Sequence, residues 1–336
     1  MNYREETTAA NAEKEAYLAG LEALIAERQR AAARTREGYA RDILREPERY
    51  RRELREMLGW PLTEERGAPP VPTVRLLSEE EGCRTFRLGF EILPGVTLSG
   101  LYFEQREEGA HPLVLVQHGG LGTPEHISGF LFGGDTTNYN RMLERVLALG
   151  VHAFCPQLLL WSADRYGVPS PRVAVDARLK RVGSSVTAVE LFGLFRILDY
   201  FEAQPSVSSF GMVGLSYGGF YTLLTAALDT RIRAAVSCSF FNTRDRYPWP
   251  DWCWQGSAFR FDDAEMAALV FPRPLTIAIG TEDKTFAAVG GEESFAGLSA
   301  LCREVGTDWV ELIEFEGTHE FLRDDAPLHR MRQALK

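Results

Sequence analysis

Residues 210–228 read FGMVGLSYGGFYTLLTAAL. An apolar run of strand length, 210–215, leads into Gly-Leu-Ser-Tyr-Gly-Gly, and an apolar run of helical length, 220–228, follows at once. G-x-S-x-G between a strand and a helix marks a tight turn that raises the serine hydroxyl above the edge of a parallel sheet. The stretch therefore predicts that Ser216 is a nucleophile; the alternative is a structural glycine turn.

Strand-like and helix-like segments alternate on both sides of this turn. Further strands are predicted at 112–117, 151–155, 232–238, 275–279 and 309–315. Helices are predicted at 138–149, 184–203, 218–228, 262–270 and 295–305. Such alternation predicts an α/β fold with a mainly parallel sheet, about eight strands, and helices on both faces. Three earlier β-rich segments predict an antiparallel meander: 73–78, 84–92 and 96–103.

The N-terminal part has a different pattern. Residues 1–61 are rich in Ala, Glu, Arg and Leu, with apolar residues at helical spacing, and Gly59-Trp60-Pro61 supplies a helix stop. They predict a helical extension of two or three helices, packed on the main body or on a second subunit. A linker at 62–72 separates it from a predicted catalytic domain at 73–336.

A serine nucleophile needs a base, and the base needs an acid that orients it. Both are expected at the carboxyl ends of strands, where sites of parallel α/β sheets lie. Asp283 follows the predicted strand at 275–279, and His319 follows the last strand. The chain order Ser216, Asp283, His319 is that of α/β-hydrolases. Two other acids remain as alternatives: Glu282 and Asp245.

Acyl transfer also needs donors for the oxyanion. One is predicted to be the backbone N–H of Tyr217, the residue after the nucleophile. The other is expected in the loop His118-Gly119-Gly120-Leu121-Gly122, which follows the strand at 112–117. The N–H of Gly120 is the first choice in that loop and that of Leu121 the second. His118 is interpreted as a residue that shapes the turn.

The sequence resembles the α/β-hydrolase superfamily from about residue 73 to the C-terminus. Within it, the chain is similar to bacterial dienelactone-hydrolase-like and acetyl-xylan-esterase-like proteins, some of which carry an N-terminal helical extension. The resemblance rests on QHGG (117–120), GLSYGG (214–219), RPLTIAIGTEDKTF (273–286) and EGTHEF (316–321). It implies a serine triad and ester hydrolysis without a cofactor. Dienelactone hydrolases proper use a cysteine nucleophile, whereas Ser216 stands here, so that activity is not implied.

Two stretches fall where α/β-hydrolases insert lids, at about 157–183 and 240–261. The first combines apolar residues, Trp161, Tyr166, two prolines and several charges, and the second is rich in aromatic residues, which must bury their rings. One interpretation is an aromatic wall for a sugar or aryl group, and the other is a lid that packs on the body. The predicted pocket residues are Trp161, Trp249, Trp252 and Trp254.

Composition limits the partners. The 336 residues are 45% hydrophobic and carry a net charge of −10, which argues against nucleic acid and against an anionic membrane. No Walker-type or dinucleotide motif and no metal motif is visible, so we expect no cofactor and no metal. The five cysteines form no CxxC pair and the N-terminus is charged, which favours a cytoplasmic protein.

The sequence thus predicts a serine hydrolase that cleaves a small carboxylic ester, with an acetylated carbohydrate as the candidate substrate. Two alternatives remain open. One is amide or peptide hydrolysis by the same triad, and the other is a ligand-binding protein with little turnover on a hydrolase fold. The N-terminal helices are expected to mediate a homo-oligomer if one forms.

Overall fold

The computed structural model describes residues 3–130, 137–159 and 171–336. Nine strands of the described chain form one sheet in the order β1-β2-β3-β5-β4-β6-β7-β8-β9. Their bounds are β1 Thr73–Glu79, β2 Cys83–Leu93, β3 Val96–Gln105, β4 His111–Gln117, β5 His152–Pro156, β6 Val207–Leu215, β7 Ile232–Cys238, β8 Leu275–Gly280 and β9 Val310–Phe315. The pairs β1–β2, β2–β3 and β3–β5 are antiparallel, and the other five pairs are parallel.

Helices surround this sheet. In the described ranges they are α1 Thr7–Arg36, α2 Tyr39–Arg45, α3 Pro47–Leu58, α4 Pro124–Ile127, α5 Met142–Leu147, α6 Arg172–Arg181, α7 Val186–Glu202, α8 Tyr217–Leu228, α9 Asp263–Ala268, α10 Ala288–Val305 and α11 Ala326–Ala334. The predicted fold class and the predicted antiparallel meander are confirmed.

The core lies on both faces of the sheet, and β4 shows why its sequence is continuously apolar. Leu113 and Leu115 belong to the cluster that packs under α7 and α8. Val114 and Val116 belong to the cluster under α5 and α11. Since successive side chains of a strand point to opposite faces, a strand covered on both faces needs apolar residues at every position.

One predicted helix is wrong in its first turn. The segment 138–149 was expected to be helical throughout, but the chain forms a short 3₁₀ turn at Thr137–Tyr139 and helix α5 begins only at Met142. Between them, Asn140 and Arg141 have φ of 46° and 57°, in the left-handed region. Apolar spacing gave no sign of this break, although Asn tolerates that region better than most residues.

The N-terminal extension has three helices, and its last two helices join the main body. Leu54 and Leu58 of α3 are buried in the same core cluster as α7 and α8. The buried Arg51 donates to the carbonyl oxygens of Ala227 and Leu269 at 2.9 and 2.8 Å. These bonds satisfy the C-terminal carbonyls of two short helices, α8 and α9, so α3 is part of the packed structure.

Helix α1 differs, because most of its apolar side chains are exposed. Five of them recur at helical spacing and are 37–71% exposed: Tyr17, Leu18, Leu21, Leu24 and Ile25. In the part of the chain that the structure describes, the C-terminal third of α1 is anchored: Arg28 lies over the ring of Phe259, and Arg36 donates to the carbonyl of Ala258 and forms ion pairs with Asp262 and Glu265. The homo-oligomer through these helices stays a prediction. Across the described ranges, no helix combines the length and apolarity needed to cross a membrane.

Candidate active site

Ser216 stands on the turn between β6 and α8. Its backbone has φ 59° and ψ −120°, a conformation that L-residues rarely adopt. The turn is held on both sides, because the N–H of Ser216 donates to the carbonyl of Cys238 on β7 at 2.8 Å and its own carbonyl accepts from Phe220 at 3.0 Å. Strain of this kind, fixed by surrounding hydrogen bonds, is typical of functional positions.

The flanking glycines are required by close backbone contacts. A Cβ on Gly214 would lie 2.3 Å from the backbone of Gly218. A Cβ on Gly218 would lie 2.2 Å from the carbonyl oxygen of Gln117, and one on Gly219 would lie 2.8 Å from that of Cys238. No real side chain fits at such distances. These glycines therefore allow the first turn of α8 to pack directly against the carboxyl ends of three parallel strands.

His319 and Asp283 meet at the carboxyl ends of β9 and β8. The Nδ1 of His319 lies 2.8 Å from Oδ2 of Asp283, and the carboxylate side chain is completely buried. The other oxygen, Oδ1, accepts the N–H groups of Thr285 and Phe286 at 2.7 and 2.9 Å. These bonds hold the Asp283 carboxylate in an orientation that fixes the imidazole through Nδ1 and leaves Nε2 as the ring nitrogen for proton transfer.

The two alternative acids lie elsewhere. Glu282 is exposed, next to the buried Asp283. Asp245 lies in a 3₁₀ turn, Arg244–Arg246, where it hydrogen-bonds to Gln29 of α1, and burial raises the pKa of its carboxyl. Of the three acids weighed from the sequence, Asp283 is the one placed against His319.

Ser216 and His319 line one cavity of about 620 Å³. The predicted oxyanion donors belong to its wall as well: Tyr217 begins α8, and a Cβ on Gly120 would lie 3.2 Å from the Tyr217 ring. Acyl transfer needs three kinds of group, and all three are present here: a hydroxyl, an imidazole that is bound to a buried carboxylate, and two backbone amides near a helix N-terminus.

The loop before Gly120 is fixed by its neighbours. The N–H of Gly119 donates to the hydroxyl of Tyr139 at 2.9 Å, so it is engaged away from a substrate. His118 is fully buried, with Nδ1 2.9 Å from the Gly119 carbonyl and Nε2 accepting the N–H of Leu158 at 3.4 Å. Burial lowers the pKa of His118 to about 4, so the ring is neutral at pH 7. This agrees with its interpretation as a turn-shaping residue.

The tryptophans predicted for the pocket separate into three groups. Trp249 lines the cavity and stacks on Tyr217, with ring centroids 5.7 Å apart and planes at 16°. Trp252 and Trp254 were expected there too, but they are 3% and 8% exposed, belong to the hydrophobic core and do not line the cavity. Trp161 lies outside the described residues.

Comparisons with known proteins concern the fold of the chain. No family model matches the chain. The Bacillus subtilis (strain 168) protein named "Putative hydrolase YtaP" is 27% identical over 247 residues, which cover 69% of this chain and 80% of that protein. The structure of "a putative acetyl xylan esterase" from Bacteroides fragilis NCTC 9343 matches with a TM-score of 0.66 at 18% identity, over 87% of this chain and 82% of that chain.

The glucuronoyl esterase from Solibacter usitatus matches with a TM-score of 0.64 at 15% identity, over 86% of this chain and 91% of that chain. This chain has the α/β-hydrolase fold. The fold that the superfamily resemblance implied is thereby confirmed, whereas the likeness to dienelactone hydrolases stays a prediction.

The cavity is also lined by residues to which the sequence analysis gave no role. They come from four separate segments, one of which is helix α4: His126, Asn138, Tyr139, Thr285, Thr318, Glu320 and Arg323. Thr285, Thr318 and Glu320 lie within the quoted motifs 273–286 and 316–321, so the motifs could have suggested them. Nothing in the local pattern marked Asn138 or Tyr139, which sit in the segment expected to be helical. Within the described ranges, no group of three or more His, Cys, Asp or Glu side chains could hold a metal ion.

Proposed function

We propose that this α/β-hydrolase is a serine carboxylesterase that acts through Ser216, His319 and Asp283. The observation that carries the proposal is the 2.8 Å contact between His319 Nδ1 and the buried Asp283, beside a cavity that His319 shares with the strained Ser216. A strained, glycine-flanked serine disfavours a purely ligand-binding role, because binding would not require the strain.

The reaction proceeds in two halves. Ser216 Oγ attacks the ester carbonyl while His319 Nε2 takes its proton, and the N–H groups of Tyr217 and Gly120 stabilise the oxyanion. The alcohol leaves with the proton from His319, which gives an acyl-enzyme on Ser216. Water, deprotonated by His319, then attacks the acyl group, and collapse of the second oxyanion releases the acid while His319 returns the proton to Ser216 Oγ. Asp283 stays ionised and stabilises the imidazolium in both halves.

An acetylated carbohydrate is the substrate that the cavity favours. Trp249 offers an aromatic face of the kind on which sugar rings stack, and it is only partly buried. The same cavity is lined by hydroxyl, amide, carboxylate and guanidinium groups that can bind sugar hydroxyls: Asn138, Thr285, Thr318, Glu320 and Arg323. The names of the two structural neighbours, an acetyl xylan esterase and a glucuronoyl esterase, add support to this substrate class.

The test compares hydrolysis of p-nitrophenyl acetate, butyrate and octanoate, acetylated xylo-oligosaccharides and a p-nitroanilide by wild type, Ser216→Ala and Ser209→Ala. Ser209 lies at the opposite end of β6, where its hydroxyl donates to the carbonyl of Leu335 at 2.6 Å, so its loss controls for a general loss of stability. We expect Ser216→Ala to lose at least about 10³-fold in kcat and Ser209→Ala to retain activity. Equal turnover by Ser216→Ala and wild type would refute the proposal, and faster cleavage of the anilide would indicate an amidase.

A further inference from the structure

The segment 137–141, here called the bridge segment, contacts the loop that carries the predicted oxyanion donor. Tyr139 is buried, and its hydroxyl accepts the N–H of Gly119 at 2.9 Å. The fit is tight, since a Cβ on Gly122 would lie 2.2 Å from the same hydroxyl. Three of the five residues of the loop 118–122 are glycines, so contacts from outside the loop, such as that of Tyr139, help to fix its conformation beside the side chain of His118.

The same bridge segment contacts the loop that carries His319. The carbonyl of Asn138 accepts the N–H of Phe321 at 2.7 Å. The side-chain amide of Asn140 donates to Oε2 of Glu320 at 2.8 Å and to the carbonyl of Phe321. The bridge segment therefore binds both the backbone N–H and the backbone C=O of Phe321, two residues after His319.

Arg145 of α5 hydrogen-bonds both to the bridge segment and to the loop that follows His319. Its guanidinium donates to the carbonyl of Asn140 at 3.3 Å and to that of Leu322 at 2.7 Å. The bridge segment also holds two consecutive non-glycine residues in the left-handed region, Asn140 and Arg141. Strain held in place by several hydrogen bonds points to a function for the segment beyond connecting two elements.

We propose that Tyr139 and Asn140 are positioning residues that hold the oxyanion loop and the histidine loop in fixed relation to each other. Tyr139 acts through Gly119, one residue before the predicted donor Gly120. Asn140 acts through Glu320 and Phe321, the two residues after the base. The inference rests on the proposed esterase function. It adds no catalytic group and concerns the alignment of the catalytic groups proposed above.

Two variants each remove the side-chain hydrogen bonds of one positioning residue. Tyr139→Phe keeps the ring and deletes the acceptor of the Gly119 N–H. Asn140→Gly keeps the left-handed backbone, which glycine adopts without strain, and deletes the amide that binds Glu320 and Phe321. We expect each to lower kcat between about tenfold and about 100-fold, as misplacement of a catalytic group does, with KM within about twofold of wild type.

A second readout separates alignment from stability. A trifluoromethyl ketone, which adds to the serine and places an oxyanion in the hole, should bind Tyr139→Phe more weakly by about the same factor as kcat falls. Labelling of Ser216 by a fluorophosphonate should slow in Asn140→Gly, because the base is misplaced. The control is Ser209→Ala, which also loses a buried side-chain hydrogen bond to the backbone, at the far end of the sheet.

The outcomes are distinct. Supporting results are lower kcat and unchanged KM in both variants, weaker binding of the trifluoromethyl ketone by Tyr139→Phe and slower fluorophosphonate labelling of Asn140→Gly, with none of these changes in Ser209→Ala. If wild type is active and both variants match Ser209→Ala, with at most a lower Tm, the inference is refuted while the esterase proposal stands. If wild type neither hydrolyses an ester nor reacts with the fluorophosphonate, the proposed function fails, and this inference fails with it.

Discussion

Asp283 is completely buried, whereas its partner His319 is 28% exposed, and the two side chains meet at 2.8 Å between Oδ2 and Nδ1. The acid is thus shielded from solvent and held by two backbone N–H groups, while the imidazole reaches the cavity that contains Ser216. In a catalytic base, one ring nitrogen must be fixed and the other must exchange protons with a substrate. A buried acid beside a partly exposed imidazole meets both requirements.

Asp283→Asn tests that relationship. The amide can present its NH₂ group to Nδ1 and so stabilise the wrong tautomer, which should lower kcat by about 10³ to 10⁴ while the fold is retained. The measurement is kcat on p-nitrophenyl acetate together with Tm. The matched control is Glu282→Gln next door, which is exposed and should change kcat by less than about twofold. Comparable losses in both variants would contradict the assignment of the acid.

Gly218→Ala should destroy the nucleophile turn. The new Cβ would lie 2.2 Å from the carbonyl oxygen of Gln117, and only a shift of backbone could relieve the clash. We expect a free energy of unfolding lower by several kcal/mol or no folded protein, measured by urea titration followed by circular dichroism. Gly297→Ala in helix α10 is the control, because nothing lies within 4 Å of its Cβ, and it should stabilise by about 0.5–1 kcal/mol. A fully active, equally stable Gly218→Ala would refute the steric account.

The buried His118 makes stability depend on pH in a defined window. Its pKa is lowered to about 4 in the folded protein, against about 6.5 when unfolded, so between these values the unfolded state binds more protons. The contribution of His118 therefore decreases as pH falls from 6.5 towards 4, by up to about 3 kcal/mol. Urea unfolding of wild type and His118→Gln at pH 7 and pH 5 measures it. The variant should lose less stability on acidification, and an identical pH dependence would contradict the prediction.

Trp249→Ala should affect carbohydrate esters more than p-nitrophenyl acetate. Trp249 lines the cavity, so its loss removes a stacking surface worth about 0.5–1.5 kcal/mol, which corresponds to a KM about 2- to 12-fold higher for an acetylated xylo-oligosaccharide. Trp252→Ala is the contrast, because that ring is buried among Phe220, Phe240 and Phe286. It should lower the free energy of unfolding by about 3–5 kcal/mol instead. The substrate prediction fails if Trp249→Ala leaves the ratio of the two KM values unchanged.

The sequence identified the parts of the molecule that depend on local pattern. The strand β4 and the turn at Ser216 could be predicted, because two-sided burial demands continuous apolar residues and a serine elbow demands glycines. The proximity of Asp283 and His319 could be predicted from their places at the ends of β8 and β9. Each of these inferences needs only a few neighbouring residues.

The remaining errors concern contacts between distant segments. Trp249 and Trp252 are three residues apart, yet one faces the cavity and the other the core, and local composition cannot distinguish them. Helical spacing at Tyr17 to Ile25 predicted a helix packed on the main body or on a second subunit, and these side chains of α1 are exposed in the single chain. Asn140 interrupts a predicted helix because it binds the loop of Glu320, which is 180 residues away along the chain.

The most direct test of the central claim is to trap the acyl-enzyme. Wild type is mixed with p-nitrophenyl acetate, quenched in acid within milliseconds to seconds, digested and analysed by mass spectrometry, with Ser216→Ala treated in parallel. We predict one acetyl group on the peptide that contains Ser216 in wild type and none in the variant. Hydrolysis by wild type with no acetylated Ser216 at any quench time, and with Ser216→Ala equally active, would contradict the account.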